Sequence, residues 1–201
     1  MIHHVIEKGT SKDVMILLHG TGGNERDLLN LSHYISKEAT KIGIRGRILE
    51  SGMPRYFKRL SPGIFDLENL IEETFWLHQT IVELIDEYEL NQYRIHVLGY
   101  SNGANIASSL NFHYPSLFKT SILFHPMKPF EQFDYLNLKD QYIWIGAGKN
   151  DPIVPQQQTI DLATIYQKYG AEVEVFWSHS GHQITQEAIL QAHRFFHKKN
   201  T

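Results

Sequence analysis

Residues 99–103 read Gly-Tyr-Ser-Asn-Gly, a G-x-S-x-G string that sets one hydroxyl between two glycines. The apolar run Ile95-His96-Val97-Leu98 precedes it, and the small-residue stretch Ala104-Asn105-Ile106-Ala107 follows it. In that setting Ser101 occupies a tight strand-to-helix turn, strained so that its Oγ stands clear of a sheet, while the glycines keep Cβ atoms off the neighbouring strands. A serine hydroxyl is a poor nucleophile at neutral pH. It needs a general base within hydrogen-bond reach, and that base needs a buried acid to orient it. Asp151 is the candidate acid: it lies in Gly146-Ala147-Gly148-Lys149-Asn150-Asp151-Pro152, after the apolar run Tyr142-Ile143-Trp144-Ile145. His182 is the candidate base, in Ser178-His179-Ser180-Gly181-His182 after Val173-Glu174-Val175-Phe176, where Gly181 permits a tight bend. His179 is the nearest rival, but it has no preceding glycine and stands closer to the run.

Acyl transfer at such a serine also requires donors for the oxyanion of the tetrahedral intermediate, each contributing about 3 kcal/mol where it can be tested. His19-Gly20-Thr21-Gly22-Gly23 directly follows the apolar run 14–18, so the amide of Thr21 is expected as one donor and that of Asn102 as the other. A dinucleotide-binding loop is the competing reading of these glycines. It fails because G-x-G-x-x-G requires a glycine where the chain has Glu25. The stretch 51–65, with Pro54, Pro62 and Gly63, is expected over the strand ends, bringing Met53, Arg55, Phe57, Arg59 and Phe65 toward a substrate. Arg55 would there hold a carboxylate or phenolate; a solvated basic loop is the equal alternative. His125 and Met127 follow a core run and are candidates for the acyl side, with core packing the competing role for Met127.

These residues need a scaffold. Short β-branched runs alternate along the chain with amphipathic stretches, the pattern of a mostly parallel sheet with crossover helices. Strands are expected at 14–18, 47–49, 94–98, 120–124, 142–145 and 172–176, with Val5-Ile6 as an edge. Helices are expected at 26–37, 67–88, 104–113, 157–169 and 185–197. In the longest, Leu67, Leu70, Ile71, Leu77, Ile81, Leu84, Ile85 and Tyr88 recur at three- and four-residue steps and should face the sheet. Residues 51–65 and 125–140 read as irregular. Ser101, Asp151 and His182 then follow three different strands in the chain order Ser, Asp, His of the α/β-hydrolase arrangement.

A chain of 201 residues suits a single domain over 1–201. Its 42% hydrophobic and 20% charged residues exclude a disordered or fibrous class. Nineteen basic against 22 acidic side chains supply no positive field for a nucleic acid. With no cysteine, disulfides, thiolate catalysis and cysteine zinc sites are excluded, which suits a cytoplasmic location. The amino terminus has no signal-peptide pattern and no apolar block is long enough for stable membrane insertion. His193 and His197 share a helical face without H-E-x-x-H or a third ligand, so no metal is expected, and no cofactor fingerprint is present.

The set Leu18-His19-Gly20-Thr21-Gly22-Gly23-Asn24-Glu25, Gly52-Met53-Pro54-Arg55, Gly99 through Ala107, His125-Pro126-Met127, Asn150-Asp151-Pro152-Ile153 and Gly181-His182-Gln183 resembles the bacterial phospholipase/carboxylesterase family of α/β hydrolases. It looks most like the carboxylesterase branch found in methylhydroquinone-stress operons. The resemblance covers about residues 14–196. Between two expected strands 125–140 is too short to fold as a cap domain, a departure from larger lipases, and the resemblance implies the same three residues as a triad and action on carboxylic esters of small molecules. A homodimer is compatible with it. Cleavage of a carbon–carbon bond in a ring-fission product is the alternative chemistry for the same side chains, and a non-catalytic binding protein is the alternative class.

Overall fold

The computed structural model describes residues 2–131 and 133–200; Met1, Gln132 and Thr201, within the single domain expected over 1–201, lie outside the described residues. The strands of the main sheet are β1 (His4–Glu7), β2 (Asp13–Leu18), β3 (Thr40–Ile44), β8 (Arg94–Tyr100), β9 (Thr120–Phe124), β10 (Tyr142–Gly148) and β11 (Glu172–Ser178). Between β3 and β8 come β4 (Ile48–Glu50), β5 (Met53–Arg55), β6 (Arg59–Ser61) and β7 (Ile64–Phe65), which form two separate hairpin ribbons. The helices are α1 (Leu29–Ile35), α2 (Leu67–Glu87), α3 (Asn102–His113), α4 (Gln156–Lys168) and α5 (Gln186–Asn200).

The sheet runs β1-β3-β2-β8-β9-β10-β11. Every pairing is parallel except β1 with β3, so the edge strand at Val5-Ile6 is antiparallel. Side chains alternate across a strand, and here both faces are covered. Val14, Ile16 and Leu18 of β2 join the cluster under α2, α3 and α4, with Leu77, Ile81, Ile106, Leu110 and Leu162. Met15 and Leu17 join the opposite cluster under α1 and α5, with Ile35, Trp144, Phe195 and Phe196. Only residues 125–141 separate β9 from β10, and among the described residues there no helix or strand forms a cap. No helix among the described residues is long and apolar enough to cross a membrane.

Four expectations from the sequence are corrected. The strand after β2 is Thr40–Ile44 rather than 47–49. Lys41 disguises it, yet this lysine is buried, its ammonium donating to the Lys37 carbonyl at 2.7 Å. Residues 48–50 instead pair antiparallel with 53–55 across Ser51-Gly52, both at positive φ, as a two-residue hairpin turn requires. The stretch 51–65 is therefore not wholly irregular. The first helix starts at Leu29 rather than Arg26, because Asn24 and Asp27 engage local groups: Asn24 N–H donates to Asp27 at 3.1 Å and Arg26 N–H to the Asn24 side chain at 2.9 Å. On α2, Leu70, Leu77, Ile81, Leu84 and Ile85 are buried, whereas Leu67 and Ile71 are exposed.

Candidate active site

Ser101 sits between β8 and α3 with φ 51° and ψ −114°, a conformation L-residues seldom adopt. Two glycines make the turn sterically feasible. A Cβ on Gly99 would lie 2.8 Å from the Ala104 backbone, and one on Gly103 would lie 2.0 Å from the Leu18 carbonyl oxygen. Ser101 N–H donates to Phe124 O at 2.9 Å, pinning the turn to β9. The loops bearing Asp151 and His182 leave β10 and β11 side by side, stitched by Lys149 N–H to Ser178 O at 2.9 Å and Asn150 N–H to Ser180 O at 3.1 Å.

The sheet thereby brings Ser101, Asp151 and His182 together. His182 Nε2 is 2.8 Å from Ser101 Oγ, and His182 Nδ1 is 2.7 Å from Asp151 Oδ2. A carboxylate only accepts, so Nδ1 donates and Nε2 is the nitrogen that faces the serine hydroxyl. Asp151 Oδ1 accepts the N–H groups of Ile153 at 2.8 Å and Val154 at 3.0 Å. Burial pushes this carboxyl up, but the Val154, His182 and Ile153 donors outweigh it and hold it below the usual carboxylate range. Tyr100 O–H donates to the His182 carbonyl at 2.7 Å and so anchors the base loop from β8.

Thr21 and Asn102 lie on the opposite rim. Asn102 opens α3, where a helix leaves N–H groups without intrahelical acceptors. Its side-chain oxygen accepts Tyr56 N–H at 2.7 Å, while the Tyr56 hydroxyl accepts His19 N–H at 3.0 Å. His19 Nδ1 lies 2.6 Å from Gly20 O, and Nε2 accepts Gly46 N–H at 3.0 Å, which fixes one neutral tautomer. Burial pushes the His19 imidazole below its ordinary range. The Thr21 loop is tied to β5 by Gly22 N–H to Pro54 O at 2.9 Å.

A cleft of about 340 Å³ opens over Ser101, walled by Thr21, Arg55, Arg59, Phe65, His125 and Met127. Asn102, Tyr100, Ile153, Val154 and His182 complete much of the remaining wall. Of the residues expected to meet substrate, Arg55, Arg59, Phe65, His125 and Met127 line this cleft. Met53 does not: it projects from β5 beside Gly22, partly exposed, because the two-residue turn of the β4–β5 hairpin directs it outward. Phe57, expected in the same loop, is wholly buried in the core. Arg55 is buried as well; its Nη1 donates to Thr21 Oγ1 at 2.8 Å and its Nε to Phe57 O at 3.2 Å, with Glu50 at 3.2 Å. The position of His125 is the largest departure from expectation. Beyond lining the cleft, its Nδ1 lies 2.9 Å from Asp151 Oδ2. No motif in the sequence signals that contact; it arises because β9 lies between β8 and β10.

His125, Asp151 and His182 also form the one cluster among the described residues with three metal-ligand atoms close together, all within 4.8 Å. In that cluster both imidazoles direct Nδ1 at the same Asp151 oxygen, at 2.9 and 2.7 Å.

The model of the Dienelactone hydrolase family matches residues 69–189. The chain is 45% identical over 193 residues to the Bacillus subtilis (strain 168) protein named "Putative hydrolase MhqD", covering 96% of each. It superposes on the Bacillus cereus carboxylesterase structure with a TM-score of 0.96 at 42% identity, over 99% of this chain and 95% of that one. The structure of YahD with malic acid gives a TM-score of 0.94 at 33% identity, over the whole of both chains.

Proposed function

Because the chain belongs to the dienelactone hydrolase family, and is a hydrolase of the dienelactone hydrolase and carboxylesterase type, we propose that it cleaves carboxylic esters of small or medium substrates through an acyl-enzyme on Ser101. The observation that carries this reading is the continuous path from Ser101 Oγ through His182 to Asp151, with steps of 2.8 and 2.7 Å, on the floor of an open cleft. His182 takes the serine proton as Oγ attacks the ester carbonyl, and Asp151 stabilises the imidazolium so formed. The oxyanion is met by the N–H groups of Thr21 and Asn102. As the intermediate collapses, His182 returns the proton to the leaving alcohol. Water, deprotonated by the same imidazole, then resolves the ester on Ser101.

The cleft volume supports substrates of modest size. Arg55 and Arg59 share a single carboxylate, Glu50, and so leave net positive charge on the wall, which favours esters that carry an acid group. Arg55 has a second role in this reading: its bond to Thr21 Oγ1 braces the oxyanion loop.

The test pairs Ser101→Ala with a fluorophosphonate probe. Wild type should lose activity as Ser101 is labelled, and the variant should turn over short aryl esters more slowly by on the order of 10³-fold or more. Wild-type rates from folded Ser101→Ala protein would dismiss the proposal. A panel of aryl esters, thioesters and ring-fission diketones separates ester from carbon–carbon bond cleavage.

A further inference from the structure

The transfer path from Ser101 to Asp151 needs one imidazole, yet Asp151 has two. His125 stands at the carboxyl end of β9 with φ 52°, buried, its ring centroid 4.9 Å from that of His182. Its Nδ1 reaches the same carboxylate oxygen, Oδ2, at 2.9 Å that His182 reaches at 2.7 Å. Its Nε2 faces the Gln183 carbonyl at 3.1 Å. Both of these partners only accept hydrogen bonds. Burial, opposed by Asp151, pushes the His125 imidazole below its ordinary range, and in its neutral form the ring has one N–H for two acceptors. The carboxylate, being charged, is the stronger acceptor. With Ile153 and Val154 on Oδ1, four donors then hold Asp151.

We propose that His125 is a positioning residue for ester hydrolysis, donating Nδ1–H to Asp151 so that the carboxylate is locked in place and its hold on protonated His182 is moderated. The inference rests on the reading of Ser101, Asp151 and His182 as the reacting groups. A carboxylate favours the charged form of a neighbouring imidazole by Coulomb attraction and by accepting its N–H. A second donor on the same oxygen divides that capacity. Removing the His125 donor therefore leaves the whole of that capacity to His182. The other polar groups facing the pair act elsewhere: Tyr100 O–H is spent on the His182 carbonyl, Ser101 lies on Nε2, and Arg55 and Arg59 stand on the cleft wall.

Two substitutions test this. In His125→Asn the side-chain nitrogen on Cγ takes the place of ring Nδ1, and asparagine tolerates a positive φ better than most residues. His125→Leu has no donor. The expectation for His125→Leu is an acidic limb of the kcat/KM profile moved to higher pH and a kcat lowered about tenfold with KM little changed. His125→Asn should recover most of both. Proton NMR of wild type should show two low-field imidazole N–H signals, one of them lost in His125→Leu. A Leu profile superimposable on wild type overturns the proposal, as do equal losses in Leu and Asn with an unmoved acidic limb. Should His125→Leu not fold, a single low-field signal in wild type is the overturning result. If fluorophosphonate leaves wild-type Ser101 unmodified, the triad reading itself falls; if Ser101 is labelled and the Leu profile does not move, only the role of His125 falls.

Discussion

Gly148→Ala probes how tightly the acid and base loops must approach. Gly148 closes β10, and a Cβ there would stand 2.2 Å from the Gly181 carbonyl oxygen and 2.6 Å from that of Ser180. Both obstacles are backbone, so no side-chain rotation relieves them, and the loop bearing His182 must retreat by roughly 1 Å to reach ordinary packing distance. Hydrogen bonds of 2.7 Å to Asp151 and 2.8 Å to Ser101 then pass out of working range. A displacement of that size costs about 10²-fold in rate. Overpacking should lower stability by about 1–3 kcal/mol. The assay is kcat/KM on a short aryl ester, normalised to fluorophosphonate-reactive Ser101, with the urea midpoint measured on the same samples. Gly52→Ala is the control: it has φ 78° and open space around it, so it strains the hairpin by about 1–2 kcal/mol and leaves the rate unchanged. Folded Gly148→Ala protein with the full wild-type rate would refute the reasoning that loop spacing sets the reacting geometry.

Three further expectations concern charge. Burial pushes the Asp13 carboxyl up, but bonds from His96 and Arg94 bring it down to about 2. Because folding lowers this pKa, its contribution of about 2 kcal/mol is present above the unfolded value near 4 and lost as pH falls toward 2; urea titrations showing the same wild-type to Asp13→Asn difference at pH 6 and pH 2 would contradict this. Asp151, held below the usual range, stays ionised while activity falls on acidification, so log kcat/KM should drop with a slope of one, and a slope of two would assign a second proton to the site. Arg55→Met removes the bond to Thr21 Oγ1 and should lower kcat about tenfold even for neutral esters; a change confined to KM for acid-bearing esters would instead make Arg55 a substrate anchor.

What could be read from the chain alone was whatever local chemistry dictates. The bracket Gly99-x-Ser101-x-Gly103 announces a close approach of backbones, and the structure supplies the carbonyl of Leu18 as the reason. Runs such as 120–124, buried on both faces, announce their strand without ambiguity. Thr40–Ile44 does not, since its lysine reads as solvent-facing until the Lys37 carbonyl is seen to take the ammonium. The contact of His125 with Asp151 depends on strand order, as does the bond from Tyr100 to the His182 loop, while that from Arg55 to Thr21 depends on where the β4–β5 ribbon folds back. Spacing along the chain carries no record of such neighbours.

The alternation along β2 gives adjacent positions separate fates. Ile16 and Leu18 answer to the helices beneath the serine turn, whereas Met15 and Leu17 answer to α1 and α5 on the reverse side. A lineage carrying this fold has latitude to exchange bulk at Leu17 against Ile35 or Phe196 while the floor under Ser101 stays untouched. At Leu18, whose own carbonyl abuts Gly103, the same exchange would be transmitted straight to the turn that carries Ser101.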